Sequence, residues 1–158
     1  MTTTRKNSGM EINIEDNFKL LFEKDNNTAY KALQILQKEC EKSGKVYCYM
    51  DKLADMIDND NSYIRTRGLT LIAYNAKWDK DNKIDEIIDE YLKHIGDVKQ
   101  ITARQCIKLL PMIAKNKPEL KCDIVSALQK ADMSIYADSM HSLVYKDIQN
   151  SLAEIERL

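Results

Sequence analysis

The 158-residue sequence contains little glycine and proline, with four and two residues respectively. A β-sandwich or β-barrel needs many turns, and these two residues supply a large share of them. Their scarcity favours long elements joined by short connections. Apolar residues make up 44% and charged residues 31% of the chain, which is the balance of a globular domain and not of a disordered one. The length suits one domain with a core of useful size.

Net charge is also nearly absent, and so are the sequence signs of a membrane or secreted protein. The formal net charge is −1, so no bulk positive field attracts nucleic acid. No apolar run approaches the roughly 20 residues of a membrane span. The polar start MTTTRKNSGM lacks the apolar stretch of a signal peptide. We therefore predict a cytoplasmic protein that does not bind a membrane.

The cysteines lack the spacing of a metal or cluster site. They are Cys40, Cys48, Cys106 and Cys122, and none of them forms a C-x-x-C pair. Neither histidine stands at metal-ligand spacing from them. A disulfide framework is typical of secreted chains, and no secretion signal is present. We predict reduced, mostly buried thiols, with no metal and no cofactor.

The residue patterns of common catalytic sites are missing as well. There is no glycine-rich phosphate loop. His94 and His141 are far apart, and neither has an obvious serine or cysteine nucleophile near it in the sequence. The stretch 58–62, DNDNS, resembles the start of a calcium loop, but Tyr63 stands at the glycine position and Leu69 at the glutamate position. We predict that the protein is not an enzyme.

What the sequence does contain is helical periodicity. From residue 14 onward, apolar residues recur with the spacing of amphipathic helices almost everywhere. The clearest run is Ile84, Ile87, Ile88, Tyr91, Leu92 and Ile95. No alternating apolar and polar stretch predicts a sheet. We expect an all-α fold of about eight helices joined by short polar turns. Residues 1–11 are predicted to be a flexible N-terminal tail, and residues 12–158 a single domain.

The helices come in pairs that repeat. Aspartates mark the start of successive pairs with spacings of 35, 37 and 35 residues, at Asp25, Asp60, Asp97 and Asp132. Ile64 and Ile101 match at a spacing of 37 residues, as do Arg67 and Arg104. A period of this length with two helices in each unit is the signature of an α-solenoid. Each pair must then stack on the next, because it cannot bury its apolar face alone.

The repeat unit resembles the HEAT-repeat family. A HEAT unit has an apolar pair and an aspartate-containing turn, followed by a β-branched residue, an arginine, a small residue and an aliphatic run. The stretch 53–72, LADMIDNDNSYIRTRGLTLI, fits this pattern, and HIGDVKQITARQCIKLLP keeps most of it. Pro111 resembles the proline that bends first helices in this family. The resemblance implies a right-handed α-α superhelix of about three helix pairs plus capping helices, whose second helices line a concave face that holds a partner.

A narrower resemblance is to short bacterial HEAT-like proteins that often carry the label "SufBD protein". It is carried by SYIRTRGLTLIAYNAKWD, KIDEIIDEYLKHI and ITARQCIKLLP. The label is borrowed from iron–sulfur assembly. The four cysteines do not form a pattern that ligates a cluster, so the label is weak support for that function.

Two sets of side chains are candidates for the ladder and for the partner site. In HEAT arrays, turn aspartates and helix arginines form a ladder of contacts between repeats, and the resemblance implies that role for Asp60, Arg65 and Asp97. Arg65 and Arg67 point about 200° apart on a helix, so they cannot both serve one face. Arg65 is the better placed of the two for the ladder.

The partner site is predicted on the stripe that begins at Arg67. Leu71, Tyr74 and Trp78 follow at helical spacing, and Arg104 repeats the arginine one unit later. The predicted partner-binding residues are Arg67, Tyr74, Trp78, Arg104 and Lys108. Arginine presents paired donors to carboxylate or phosphate, and tryptophan is favoured at binding hot spots. Half-buried packing, with Trp78 as a plug between repeats, is the alternative reading.

Charge is distributed unevenly between neighbouring helices. Residues 79–97 contain seven acids and three lysines, whereas residues 99–123 contain six bases and two acids. Two solvated helix faces are one interpretation. In the other, these groups steer recognition of a partner. The acidic members are then Asp85, Glu86, Asp89 and Glu90, and the basic members are Arg104, Lys108, Lys115, Lys117 and Lys121.

These features predict a non-catalytic scaffold or adaptor that binds a protein partner. An alternative is a nucleic-acid-binding protein related to the HEAT-like alkylbase DNA glycosylases, which the arginines favour and the single tryptophan and the net charge disfavour. A third hypothesis is an accessory factor in iron–sulfur assembly. Salt dependence of binding separates the second hypothesis from the first, and elemental analysis tests the third.

Overall fold

Eight α-helices and no strand make up the regular structure of residues 13–158, the part of the chain that the computed structural model describes. They are α1 (Ile14–Leu20), α2 (Asn26–Lys42), α3 (Met50–Met56), α4 (Ser62–Tyr74), α5 (Lys83–Leu92), α6 (Gln100–Asn116), α7 (Lys121–Gln129) and α8 (Asp138–Glu156). Short 3₁₀ turns lie beside several of them. The predicted all-α fold of about eight helices is confirmed. The predicted tail, residues 1–11, lies outside the described residues.

Polar turns start the helices as the sequence predicted. The side chains of Asn13, Asp25 and Asn61 accept hydrogen bonds from backbone N–H groups in the first turns of α1, α2 and α4. These caps satisfy donors that have no partner within the helix. Pro118 stands at the start of a 3₁₀ turn that leads into α7, where its missing N–H costs nothing.

The long helices α2, α4, α6 and α8 lie side by side in chain order, and the shorter α3, α5 and α7 pack behind them. One contiguous apolar core runs between the two layers and includes fully buried Leu36, Leu53, Ile72, Tyr91 and Leu110. Each repeat therefore completes the core of its neighbour, which is how a solenoid buries apolar surface that one helix pair would leave exposed.

Pro111 lies inside α6, and α6 continues on both sides of it. A proline has no N–H, so the carbonyl four residues earlier, that of Ile107, loses its helical donor. The hydroxyl of Ser151 on α8 donates to this carbonyl at 2.8 Å. The neighbouring helix thereby satisfies the group that the proline leaves open.

Gly68 allows α3 and α4 to approach closely. A Cβ atom at this position would lie 2.8 Å from the Cβ of Met56 and 3.2 Å from the carbonyl oxygen of Leu53. Backbone and Cβ atoms cannot move aside as a flexible side-chain end could. The spacing of the two helices therefore depends on this glycine.

We expect Gly68→Ala to lower the free energy of unfolding by about 1–2 kcal/mol. The helix gains roughly 1 kcal/mol from the better propensity of alanine, but overpacking costs about 1–3 kcal/mol, and the rigid neighbours place this site toward the upper end. Urea denaturation measures the difference. Gly96→Ala is the control, because its Cβ would lie 3.9 Å from Ile135 and meet no clash. A stabilised Gly68→Ala variant would contradict the close contact.

Candidate functional site

Arg65 joins the turn before α4 to the turn before α6. Its Nε and Nη2 donate to the Asp97 carboxylate at 2.9 and 2.7 Å, and its Nη1 donates to the carbonyls of Asn59 and Asp60 at 3.0 Å each. The backbone N–H of Lys99 also donates to Asp97, at 2.8 Å. Of the predicted ladder residues, Arg65 and Asp97 meet directly. Asp60 contributes its carbonyl, and its side chain is exposed.

The contact between Arg65 and Asp97, which we call a repeat joint, is an ion pair that is largely shielded from solvent. Burial by itself would raise the pKa of Asp97, but hydrogen bonds from Arg65, the Lys99 amide and His94 outweigh it and lower the pKa below its ordinary value. The hydrogen bonds to Asp97 raise the pKa of Arg65. His94 Nδ1 lies 2.7 Å from the same carboxylate. His94 is thus part of the repeat joint.

Lys117 holds the next joint together. Its Nζ lies 2.7 Å from Asp85 Oδ1, 3.1 Å from Asp79 Oδ2 and 3.2 Å from Glu119 Oε2, and it donates to Asn82 Oδ1 at 2.7 Å. Burial would lower the pKa of Lys117, but these contacts raise it above the ordinary lysine value. The prediction that Lys117 belongs to an exposed basic stretch is wrong, because the α6–α7 turn stacks on the α4–α5 turn and buries it.

Asp79 is the second centre of this joint. Its carboxylate accepts from the hydroxyl of Tyr47 at 2.6 Å and from the backbone N–H groups of Lys83 and Ile84 at 2.9 and 3.0 Å. The last two bonds cap α5. Burial would raise the pKa of Asp79, but these bonds and Lys117 lower it. Tyr47, Asp79 and Lys117 therefore connect three successive repeats.

Two predicted binding arginines make contacts that hold helices together. Arg104 Nε donates to Asp147 Oδ2 of α8 at 2.6 Å. Arg67 is 6% exposed, and its Nη1 donates to the Leu21 carbonyl at the end of α1 at 2.7 Å. Its Nη2 donates to Asn26 Oδ1 at 3.1 Å. The two arginines contact different helices and do not form one exposed patch.

Trp78 and Lys77 close the C-terminal end of α2. Trp78 Nε1 donates to the Cys40 carbonyl, and Lys77 Nζ donates to the Glu41 carbonyl, both at 2.6 Å. Carbonyls in the last turn of a helix have no partner within it, and a cation there also favours the helix dipole. The indole ring packs on Gly44, where an added Cβ would lie 3.4 Å from it. The half-buried ring therefore links two repeats.

Tyr74 and Lys108, the remaining predicted binding residues, share one depression. It has a volume of about 400 Å³ and lies at the C-terminal ends of α2 and α4, against α6 and α8. Lys77 and Lys115 also line it, as do the acids Glu41 and Glu154. The charges of the lysines and acids largely offset each other, so this depression is not a strongly basic site.

The larger groove on the same face was not predicted. It has a volume of about 530 Å³ and is lined by α2, α4 and α6 together. Tyr30, Tyr63 and Ile101 stand at its edges with 57%, 58% and 79% of their surface exposed. They recur near the repeat period, at spacings of 33 and 38 residues. The groove could have been predicted from this recurrence, because the three residues also stand on the otherwise polar side of each helix.

The groove lies on the side of the array that α2, α4 and α6 form together. Counted from Asp25, α2, α4 and α6 are the first helices of their pairs. The groove therefore lies on the first helices, and the second helices, α3, α5 and α7, pack behind them. That second helices line a concave face that holds a partner, as the resemblance implied, stays a prediction.

The thiols fall into two classes. Cys40 and Cys106 are buried, whereas Cys48 and Cys122 are exposed, so the prediction of mostly buried thiols holds for two of the four. Burial raises the pKa of Cys40 to about 12 and raises that of Cys106 as well. Burial therefore favours the protonated form of both thiols and makes them unreactive. Over residues 13–158, no three His, Cys, Asp or Glu side chains cluster at a spacing that could hold a metal ion.

The helix pairs, the stacked layers and the Arg65–Asp97 ladder contact are the features of a HEAT array. A family model of the HEAT repeat domain matches residues 2–152. The chain belongs to the HEAT repeat family. HEAT repeats generally serve as scaffolds for protein interaction and are typically non-catalytic.

Comparison with the curated proteins and with the solved structures found no match to this HEAT repeat chain. None of the helices described in residues 13–158 is both long and apolar enough to cross a bilayer.

Proposed function

We propose that this HEAT repeat protein is a non-catalytic scaffold that holds a segment of a protein partner in the groove of α2, α4 and α6. The observation that carries the proposal is the exposure of Tyr30, Tyr63 and Ile101 at the edges of a concave surface. Tyrosine supplies a large contact area and a hydroxyl, and it is enriched where proteins bind each other. The neutral amides and hydroxyls between these residues can pair with the backbone of a bound segment.

The lining of the groove favours a protein over a nucleic acid. Apart from Arg67, the residues that line it are uncharged: Asn26, Asn27, Tyr30, Leu33, Gln37, Tyr63, Thr66, Thr70, Ile101 and Gln105. Nucleic-acid binding needs several cations along the path of the backbone. A DNA-binding function related to the alkylbase glycosylases is the second candidate, supported by the lysines of the adjoining depression.

The earlier site prediction is refined within this proposal. Tyr74 and Lys108 stay in the binding surface, since they line the adjoining depression on the same face. Arg67 stays in it as part of the groove lining. We assign Trp78 and Arg104 to the repeat joints, because the side chain of each donates a hydrogen bond to a neighbouring helix.

The proposal is tested by comparing how much partner protein is captured by the double variant Tyr30→Ala/Tyr63→Ala and by the wild-type protein. Both tyrosines are exposed, so we expect the double variant to fold normally but to lose at least about tenfold of its partner capture. The measurement is quantitative mass spectrometry after a tagged pull-down from native lysate, with and without nuclease. Circular dichroism checks that the variant keeps its helix content.

The matched control is Tyr145→Ala, because Tyr145 is an equally exposed tyrosine on α8, away from the groove. Capture that survives nuclease, is lost in the double variant and persists in the control supports the proposal. Capture that disappears with nuclease, and that falls steeply with added salt, favours the nucleic-acid function. Equal capture by all three proteins overturns the assignment of the groove.

Three finer statements remain predictions. They are the cytoplasmic location, the kinship with short bacterial HEAT-like proteins labelled "SufBD protein", and the accessory role in iron–sulfur assembly. Among residues 13–158 no three potential ligand side chains cluster at metal-ligand spacing, which speaks against the last of these, because a cluster needs several cysteine ligands together.

A further inference from the structure

The groove of α2, α4 and α6 contains one charged side chain, and that charge has no counter-ion among the described residues. Arg67 lines the groove, and no aspartate or glutamate does. Each of the other interior arginines of the array is paired: Arg65 with Asp97, and Arg104 with Asp147. Arg67 therefore differs from them in having only neutral groups around it.

The contacts of Arg67 leave donors available. A guanidinium carries five N–H groups. Among the described residues two hydrogen bonds engage it, to the Leu21 carbonyl and to Asn26 Oδ1. Both acceptors are neutral. Its guanidinium carbon also lies 5.8 Å from the ring centroid of Tyr63, which places the cation beside the exposed wall of the groove.

Neutral dipoles do not remove the charge of a buried guanidinium. The Leu21 carbonyl at the end of α1 and the ring of Tyr63 each contribute a partial negative potential. A cation that is 6% exposed still has little water around it, and buried charges are generally paired. An anion that enters the groove would gain both the charge and the remaining donors.

We propose that Arg67 is the recognition group for a carboxylate of the bound protein segment, an aspartate or glutamate side chain that enters between Tyr30 and Tyr63. This inference rests on the proposed function and names the chemistry of its ligand. The apolar side chains Leu33 and Ile101 accommodate the neighbours of that acid, and the amides of the groove pair with the backbone of the segment.

A single carboxylate fits this site better than a polyanion does. The groove contains one cation, which neutralises one negative charge. A nucleic acid brings a phosphate with each nucleotide, and within the groove the remaining phosphates would lie against uncharged walls. The ligand expected here is therefore a mostly apolar or neutral segment with one acidic residue at the centre of its contact.

The experiment starts from a displayed library of random peptides of about 12 residues, selected on the full-length protein. The tightest peptide is resynthesised with a fluorescent label, and a second peptide is made with its acid replaced by the matching amide, Glu→Gln or Asp→Asn. Fluorescence anisotropy measures both dissociation constants. We expect the amide peptide to bind at least about tenfold more weakly, because it loses the charge-assisted bonds to Arg67.

Variants of the protein then test whether Arg67 contacts the acidic residue of the peptide. Tyr30→Ala/Tyr63→Ala should weaken both peptides, since it removes the walls that they share. Arg67→Met should remove the difference between the acidic peptide and the amide peptide. Arg67 also holds α1 through Leu21, so circular dichroism must show that this variant is folded. If it is not, Arg67→Lys takes its place and should reduce the difference between the two peptides, since an ammonium cannot reproduce the paired donors of the guanidinium.

The outcomes separate this inference from the proposed function. Equal affinity of the acidic and amide peptides, with both weakened by the tyrosine substitutions, overturns the role of Arg67 and leaves the protein-binding groove intact. Peptides that ignore the tyrosine substitutions, or a library that yields none, overturn both. A labelled single-stranded DNA that competes with the peptide, and whose binding weakens steeply with salt, also overturns the carboxylate proposal in favour of phosphate.

Discussion

We expect Lys117→Met to lower the free energy of unfolding by about 3 kcal/mol. Methionine keeps the apolar stem but removes the ammonium that lies among Asp79, Asp85 and Glu119. Removing one partner of a buried ion pair costs about 3–5 kcal/mol, because the other charge stays buried. The lower end of that range applies, since Asp79 keeps three hydrogen-bond donors and Glu119 is half exposed.

Chemical denaturation followed by circular dichroism measures this loss. The matched control is Lys115→Met, two residues earlier in the last turn of α6, where the lysine is exposed and the change should stay within about 0.5 kcal/mol. Equal stabilities of the Lys117 and Lys115 variants would mean that the joint between the α4–α5 and α6–α7 turns does not depend on this ion pair.

Arg65→Met is expected to have a still larger effect, about 3–5 kcal/mol. The substitution leaves the Asp97 carboxylate buried with one fewer cation, and it leaves the carbonyls of Asn59 and Asp60 without a donor. Both kinds of loss are costly in a buried setting. Arg65→Lys should recover only part of the stability, since an ammonium cannot reproduce the planar fork that contacts two turns at once.

The pH dependence of the free energy of unfolding that Arg65→Met loses identifies the cause of the loss. The pKa of Asp97 is lowered in the folded protein, so its pairing adds stability above the pKa of the unfolded chain, about 4. That contribution disappears as the pH falls through the folded value. The gap between wild type and Arg65→Met should therefore be full near pH 7 and shrink below about pH 4.

Arg104→Met provides the comparison for the Arg65 result. The Arg104–Asp147 pair is built in the same way but is more exposed at the arginine, so we expect a loss of about 1 kcal/mol. A gap between Arg65→Met and wild type that stays constant with pH would show that packing, and not the ion pair, accounts for the loss.

The helices and their repeat were predictable from the sequence because they depend on local patterns. The 3.6-residue period of apolar side chains marks the buried face of each helix. Polar residues such as Asp25 and Asn61 can cap a helix only at its first turn, so they mark its start. The recurrence of aspartate every 35–37 residues then placed the joints, and the HEAT family match over residues 2–152 agrees with that reading.

The roles of individual charged residues were harder to predict. Lys117 was expected in an exposed basic stretch, but its partner Asp79 lies 38 residues away in the chain. Arg104 was expected on a binding surface, and it pairs with Asp147, 43 residues later. A lysine in a buried joint and a lysine on a solvated face have the same local sequence pattern, because the difference depends on which turn stacks against it.

An all-α array of paired helices with polar turns could be read from the sequence alone, since apolar spacing marks each helix and the recurrence of aspartate every 35–37 residues marks each pair. Contacts between repeats fix which face carries the groove, which charged side chains pair within the joints, and that Arg67 lines the groove between Tyr30 and Tyr63. These properties arise from contacts between repeats more than 30 residues apart, where stacking geometry determines what each side chain meets.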